Sequence, residues 1–566
     1  MQKNICVAQS KEEVKYLIKH ISEEVTVLPL DLGSLIYCLN NNINFIKIEK
    51  FLPKNFHKES IGYCERYLKR FEKQKFKYSF IKIFLKKVMR YEINSSILLY
   101  EIITNISKSF KITKVYVSGW ERKINQNDIN NYSITRIIKQ LDINIPIKEI
   151  IRKKNLSKKF NNNYTYEYFL KKKYNSEDRT ILISNLGYNF KRIIFWARKN
   201  NFKTLVINFN ENKLNFFRKI VLRFLNVNLL NVNKKIINKP KNLNIKIPIF
   251  KYKKKFFTKI VKNRLFIEKH NLGNILHQMV FIKKFFKNIK INLIISNISN
   301  DISAGFAEIG KLCKIPSLNI SHGTIAQSFD KFDILYKKVI AEGVFSGTFN
   351  YFAIQSKITK KSLNTHQISG KPLETGNLIF SEAITNNKKK SILYSVTNKN
   401  FECIQFLGVE MHYEYLKNLE LLSNLNKDHG YKITIKLHDT IKDSQNDLKK
   451  MFPLLKFSNK KIEDELKNAF VNINFSSTTI EDSLYSNIPV ILFDQWKRYR
   501  HCESSLDPSN KKLPIYYVNE KKSLLKALKT IEKRPNFNFS RFIYYGQSKY
   551  NVANTINNII NQKSKF

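Results

Sequence analysis

A chain of 566 residues with 43% hydrophobic and 13% aromatic content can bury several cores, about two to four domains by length, and this excludes wholesale disorder. Lys and Arg number 100 against 45 Asp and Glu, a formal charge of +55, so nucleic acid, anionic membrane and phosphorylated substrates head the candidate partners. The composition is also rich in Lys, Asn, Ile, Phe and Tyr with only 15 Gly, as an A/T-rich coding sequence produces, so the charge supports an anionic partner without naming one.

Six scattered cysteines (Cys6, Cys38, Cys64, Cys313, Cys403, Cys502) form no CxxC pair and read as reduced, mostly buried thiols. The N-terminal stretch "MQKNICVAQSKEEVKYL" lacks the apolar core of a signal peptide, and no run of about 18 uncharged apolar residues occurs. The expectation is a cytoplasmic protein that rests peripherally on the inner face of the plasma membrane.

In chain order, short β-branched runs alternate with amphipathic segments, which predicts α/β domains with mainly parallel sheets. The first block offers "NICVAQ", "VTVLPL", "FIKIEKF" and "KVYVSG" as strands, with a helix over "SSILLYEIITNISKSF". A polar stretch, "LSKKFNNNYTYEYFLKKKYNSEDR", then marks a boundary. The second block offers "TILISNL", "TLVINF", "LIISNIS" and "PSLNISHG". Within it, "KLNFFRKIVLRFLN" sets Leu214, Phe217, Val221, Phe224 and Leu225 on one helical face, and "FKYKKKFFTKIVKNRLF" mixes basic with aromatic residues. Each reads either as a core helix or as a helix lying in a membrane interface. The third block offers "KKKSILYSVT", "YKITIKLHD", "AFVNINF" and "PVILFD", and the tail "YGQSKYNVANTINNIINQKSKF" a helix with a basic end.

Ligands of open α/β sheets bind at the carboxyl ends of strands, so polar residues there are the candidates. His438 and Lys436 share a strand face at the end of "YKITIKLHD", and an ammonium beside an imidazole suits a phosphate. Ser476, Ser477, Thr478 and Thr479 fall where a strand turns into a helix. Ser476 or Ser477 is the expected N-cap, and free N–H groups there favour an anion. A cap needs one hydroxyl, not four. Glu481, one turn in, is placed to accept from ribose hydroxyls, or simply to complete a capping box. In "SHGT", Gly323 permits a tight turn beside Thr324, and the imidazole of His322 can take a proton from an acceptor hydroxyl. No His/Asp/Glu cluster has metal-ligand spacing, and GxGxxG, P-loop and Gly-x-Ser-x-Gly patterns are absent, so neither metal nor cofactor is expected.

"NISHGT", "ETGNLIF", "SILYSVT", "YKITIKLHD" and "NFSSTTIEDSLYSNIPVILFD" resemble, in type and order over residues 290 to 500, the motifs of bacterial surface-polysaccharide and teichoic-acid transferases, the CDP-glycerol glycerophosphotransferase-like group in particular. The resemblance implies a GT-B-like pair of Rossmann-type domains facing across a cleft. Residues 178–383 would be the acceptor-side domain, 384–545 the donor-binding domain, 546–566 a C-terminal helix and basic tail, and 1–165 an additional N-terminal α/β domain without an assigned role. It implies His322 as catalytic base, with Gly323 and Thr324 supporting it. Lys436, His438, Ser476, Ser477 and Thr478 would lie on the donor phosphate and Glu481 on its ribose. The partners it implies are a nucleotide-sugar or CDP/CMP-linked donor, a glycan or lipid-linked acceptor and an anionic membrane surface, and no nucleic acid. Asp439 stands in place of the family's usual Pro, and Asn487 in place of a common Gly. Two rival readings are a nucleotide-sugar 2-epimerase of the same fold, which the lack of a Ser-Gly-Gly donor loop disfavours, and a basic nucleic-acid-binding protein.

Overall fold

The computed structural model describes residues 2–53, 56–120, 134–152, 165–167, 179–184, 191–209, 220, 222, 224–225, 227–235, 245–299, 301–321, 325–345, 347–366, 368–377, 391–396, 411–498, 500–544 and 548–562. Short β-branched runs such as "TILI" and "VILF" are buried along their whole length, the mark of strands covered on both faces by helices. They assemble into three sheets whose strand pairs all run parallel. The fold is α/β: two sheets of Rossmann-type strand order, preceded by a four-stranded parallel sheet.

The N-terminal sheet has the order Thr26–Pro29, Gln2–Ala8, Lys111–Trp120, Ile147–Arg152. "FIKIEKF" is not a strand. Phe45 makes one bridge to Val27, and the chain then tightens into a 3-10 turn over Ile48–Lys50 because buried Ile48 docks under Tyr413 of the third block, whose hydroxyl accepts from its N–H at 3.2 Å. "SSILLYEIITNISKSF" is the second half of a 31-residue helix, Ser79–Ser109, with buried residues on every side. Its fully buried Arg90 pairs with Glu65 and with Glu342 of the middle domain at 2.6 and 2.8 Å. The first block is therefore packed into the rest of the molecule, sharing one continuous apolar core with it.

The middle sheet runs Val227–Asn231, Lys203–Asn208, Thr180–Ile183, Ile291–Ser296, Ser317–Asn319, Tyr351–Ile354, Lys371–Glu374. The third sheet runs Lys456–Ser458, Lys432–Lys436, Ser391–Tyr394, Val471–Asn474, Val490–Phe493, Ile515–Val518. Within each domain the chain order of the first six strands is 3-2-1-4-5-6, so both have a topological switch point where strand one meets strand four. The C-terminal helix Ser548–Gln562 returns to the middle domain and buries Ile556 and Ile559 against Ile181, Ile183 and Leu293.

"FKYKKKFFTKIVKNRLF" is not one helix. Lys251–Tyr252 and Lys255–Phe256 pair as a hairpin whose two turn residues, Lys253 and Lys254, both have positive φ (45° and 66°), as a two-residue turn requires. Tyr252 and Phe257 are buried and pack edge-on against Tyr100 of the long N-terminal helix, whereas Phe256 and Phe266 of the same stretch are exposed. In the other segment Leu214, Phe217 and Val221 lie outside the described residues, while Phe224 is 75% exposed and Leu225 half-buried. Among the described residues no helix is long and apolar enough to cross a membrane.

Candidate active site at the carboxyl edge of the third sheet

The switch point of the third sheet lies between Ser391–Tyr394 and Val471–Asn474. Ile435, Tyr394 and Ile473 form one row across three neighbouring strands. One residue on, that row becomes Lys436, Ser395 and Asn474. Three residues on, the outer two chains reach His438 and Ser476. The strands end at Lys436 and Asn474, one on either side of Ser391–Tyr394, and His438 and Ser476 each follow two residues beyond. Both are half-exposed.

Parity along the strand places the cation. Ile433, Ile435 and Leu437 are buried, whereas Thr434, Lys436 and His438 lie on the more open face. The Lys436 ammonium donates to the Leu437 carbonyl at 3.0 Å, and the His438 carbonyl accepts from Ile441 at 3.1 Å, which starts the 3-10 turn Asp439–Ser444.

The four hydroxyls divide into two jobs. Thr479 turns inward. Its hydroxyl meets Ser395 at 2.9 Å and accepts from the Asn474 amide at 2.6 Å, which also donates to the Ser395 hydroxyl at 2.9 Å. Ser395 in turn donates to Asn472 at 2.8 Å, and Asn472 to Ser483 at 2.8 Å. This network joins strands one and four of the domain through buried polar side chains that satisfy one another. Ser476, Ser477 and Thr478 remain half-buried at the rim. The N-cap is Thr478, not Ser476 or Ser477, and its side chain makes no capping bond, because its backbone is already helical (φ −60°, ψ −19°) and carries the hydroxyl away from the N–H groups. Ser477 Oγ accepts instead from Thr479 N–H at 3.3 Å. The helix Thr479–Tyr485 has only seven residues, so the turn's hydroxyls and N–H groups outweigh its small dipole.

Glu481 is buried at 2% exposure, and its carboxylate accepts from the Ser356 hydroxyl, which follows the strand Tyr351–Ile354 of the middle domain. Tyr485 donates to the neighbouring Gln355 carbonyl, and the Gln355 amide donates to the Ser321 carbonyl at 2.8 Å. The carboxyl edges of the two sheets thus meet through this helix. His322, Gly323 and Thr324 lie outside the described residues; Ser321 and Ile325, on either side, are buried. Asp482 is buried too, and burial together with Glu463 and Glu481 raises its carboxyl well above the ordinary range.

Two features escaped the sequence reading. Arg498 is fully buried, paired with Glu414 and 3.9 Å from Asp494, with the Phe475 ring 4.9 Å from its guanidinium. Asp494 also accepts from Tyr517 at 3.0 Å. This ion cluster supports the turn that opens at Phe475, and an Asp ending a strand with Arg four residues later was its one visible signal. The second is a cluster where the domains meet. Lys337 is buried with its ammonium on the Gln327 carbonyl at 2.6 Å and on Asp333 at 3.3 Å, and burial lowers its proton affinity. His366, on Ser328 at 3.1 Å, and His501 are lowered by burial and then by Lys337, His501 to about 3. Asn487, where a Gly was noted as common, has φ 55°; the left-handed turn after the helix explains the preference, and Asn is the next best residue for it. Among the described residues no group of three His, Cys, Asp or Glu could hold a metal.

No protein-family model matches the chain, and a search of curated protein sequences returns no match. Among solved structures, the chain is similar to UDP-GlcNAc 2-epimerase from Methanocaldococcus jannaschii, at 14% identity and TM-score 0.40, over 67% of this chain and 99% of that one. It is similar to UDP-GlcNAc 2-epimerase from Neisseria meningitidis bound to UDP-GlcNAc, at 12% identity and TM-score 0.40, over 69% and 100%. A variant of the wall teichoic acid polymerase TagF gives 14% identity and TM-score 0.39, over 69% and 90%.

Proposed function

We propose that the protein is a GT-B-type transferase that moves a sugar or a polyol phosphate from a nucleotide-activated donor to a hydroxyl of a glycan or lipid-linked acceptor in surface-polymer biosynthesis. The observation that carries this reading is that the strands ending at Lys436 and Asn474 flank the switch-point strand, with His438 and Ser476 each two residues further on at the carboxyl edge. Lys436 and His438 would offer charge-assisted donors on one side, and Ser476, Ser477 and Thr478 hydroxyl donors on the other.

Transfer breaks the bond between the moving group and the donor's phosphate oxygen, and the electron pair leaves with the nucleotide. Donors already aimed at that oxygen stabilise the charge as it develops. His322 is the proposed base for the acceptor hydroxyl. Glu481 remains the proposed ribose group, which requires its carboxylate to exchange the Ser356 hydroxyl for the sugar's. The basic surface would hold anionic lipid.

A thermal-shift screen of CDP-, CMP-, UDP- and GDP-linked donors selects the donor, followed by product analysis with and without a hydroxyl acceptor. Turnover only with acceptor supports the proposal. Conversion of the donor alone would replace transfer with epimerisation, and no donor binding at all would remove both.

A further inference from the structure

The long helix Ser79–Ser109 begins beside the amino ends of the strands Tyr351–Ile354 and Lys371–Glu374. Between them lies a cavity of about 1690 Å³. It occupies the edge of the middle sheet opposite the carboxyl edge that carries the candidate active site, and its walls come from the N-terminal and middle domains. Eight lysines line it against two glutamates, Glu308 and Glu342.

Both acids already have partners, one of them the lining residue Lys86. Glu342 pairs with Lys86 at 2.7 Å and Arg90 at 2.8 Å. Glu308 accepts from the N–H groups of Ser79 and Phe80 at 2.9 and 3.3 Å, closing the start of the helix, and burial raises its carboxyl above the ordinary range. Lys75, Lys283, Lys311, Lys314 and Lys371 are exposed, and none of them makes an ion pair among the described residues. Thr348 also lines the cavity, and its buried hydroxyl has no hydrogen-bond partner among the described residues.

Lysines scattered by composition would spread over convex surface. Here they converge on one concavity, where low-dielectric walls focus the field. We propose that this cavity binds a chain bearing several phosphate groups, an oligophosphate or a phosphodiester-linked segment. Ammonium groups on flexible stems act as point charges that follow such a chain without demanding one geometry. The volume exceeds the roughly 300–1,000 Å³ of ordinary small-molecule sites, which favours an extended ligand over a single phosphate. Phe76, Tyr78 and Leu312 give apolar wall to the spacers between phosphates. The site stands whether or not the carboxyl edge of the third sheet takes a nucleotide.

The test is calorimetric titration of the full chain with sodium tripolyphosphate at two salt concentrations. Two triple variants are compared: Lys283→Gln/Lys311→Gln/Lys371→Gln in the cavity, and Lys522→Gln/Lys526→Gln/Lys529→Gln, with the same charge change, on the outer helix Lys521–Glu532. The expected result is salt-sensitive binding that the cavity variant loses by roughly tenfold or more, while the control stays within about twofold. Lys311→Gln alone gives a partial loss of about threefold, which guards against a folding defect in the triple variant. Equal losses in both triple variants, or no binding, overturn the proposal. So does a loss produced by His438→Ala instead, which would put the tripolyphosphate at the carboxyl edge. Sedimentation with phosphatidylglycerol vesicles separates the sources: tripolyphosphate displacing the protein from vesicles supports a shared phosphate site, and cavity-dependent vesicle binding that tripolyphosphate leaves untouched assigns the cavity to a lipid surface.

Discussion

The two Rossmann-type sheets share a strand order and a way of closing their switch points, yet differ in what lies above them. In the middle domain Ser184 donates to Ser296 at 2.9 Å and meets Ser303 at 3.1 Å, and all three are sealed inside. In the third domain buried Ser395, Asn472 and Asn474, with half-buried Thr479, form the same kind of polar joint. Among the described residues, only there does the chain continue into three half-buried hydroxyls on one side and Lys436 with His438 on the other. The joint is architecture common to both domains. The rim above it is what makes one a candidate phosphate site.

The largest contrast to test is the support under that rim. Arg498→Ala leaves Glu414 and Asp494 buried without their cation and should cost about 3–5 kcal/mol in urea unfolding. A loss under about 1 kcal/mol would mean the pair is solvated and the turn stands on something else. Asn474→Ala removes the amide that donates to both the Ser395 and the Thr479 hydroxyl and should cost about 1–3 kcal/mol, against about 1 kcal/mol for Ser184→Ala in the middle domain. Equal costs would erase the difference in network size between the two joints. Asn487→Ala, forced to keep a left-handed backbone, should lose about 1 kcal/mol, whereas Asn487→Gly should be neutral or slightly stabilising. Matching values for the two would remove the backbone argument.

A further contrast, read through pH, concerns the contact between the two domains. His501 stays neutral down to about 3 in the folded chain because it is buried near Lys337, while the unfolded imidazole takes its proton near its ordinary value. The folded pKa is lowered, so the unfolded state binds the proton first as pH falls. Stability from this group is complete above about pH 6.5 and declines from there towards about pH 3. His501→Gln should flatten the stability curve in that window, and an unchanged slope would place the acid sensitivity elsewhere.

What the sequence made legible follows from locality. Strands buried on both faces, such as "TILI" and "VILF", carry their own signal, and the hydroxyl run and the Lys-x-His pair are contiguous. Lys371–Glu374 and Lys456–Ser458 passed unnoticed because edge strands need only one neighbour and carry exposed lysines. The division of four hydroxyls into one inward and three outward depends on Ser395, and Glu481 on Ser356, partners far away in the chain. The ion cluster of Arg498 with Glu414 was hidden for the same reason. A capping box and a ribose-gripping Glu look identical until the second domain is in place.

The central claim is that the carboxyl edge of the third sheet holds a donor's phosphates and the equivalent edge of the middle sheet does not. Calorimetry with whichever nucleotide-linked donor stabilises the protein best tests it directly. His438→Ala should weaken binding by about 1.5–3 kcal/mol and Ser477→Ala by about 1 kcal/mol, with Ser184→Ala leaving affinity unchanged. Donor affinity that is indifferent to His438 and Ser477 but falls with Ser184→Ala would contradict it.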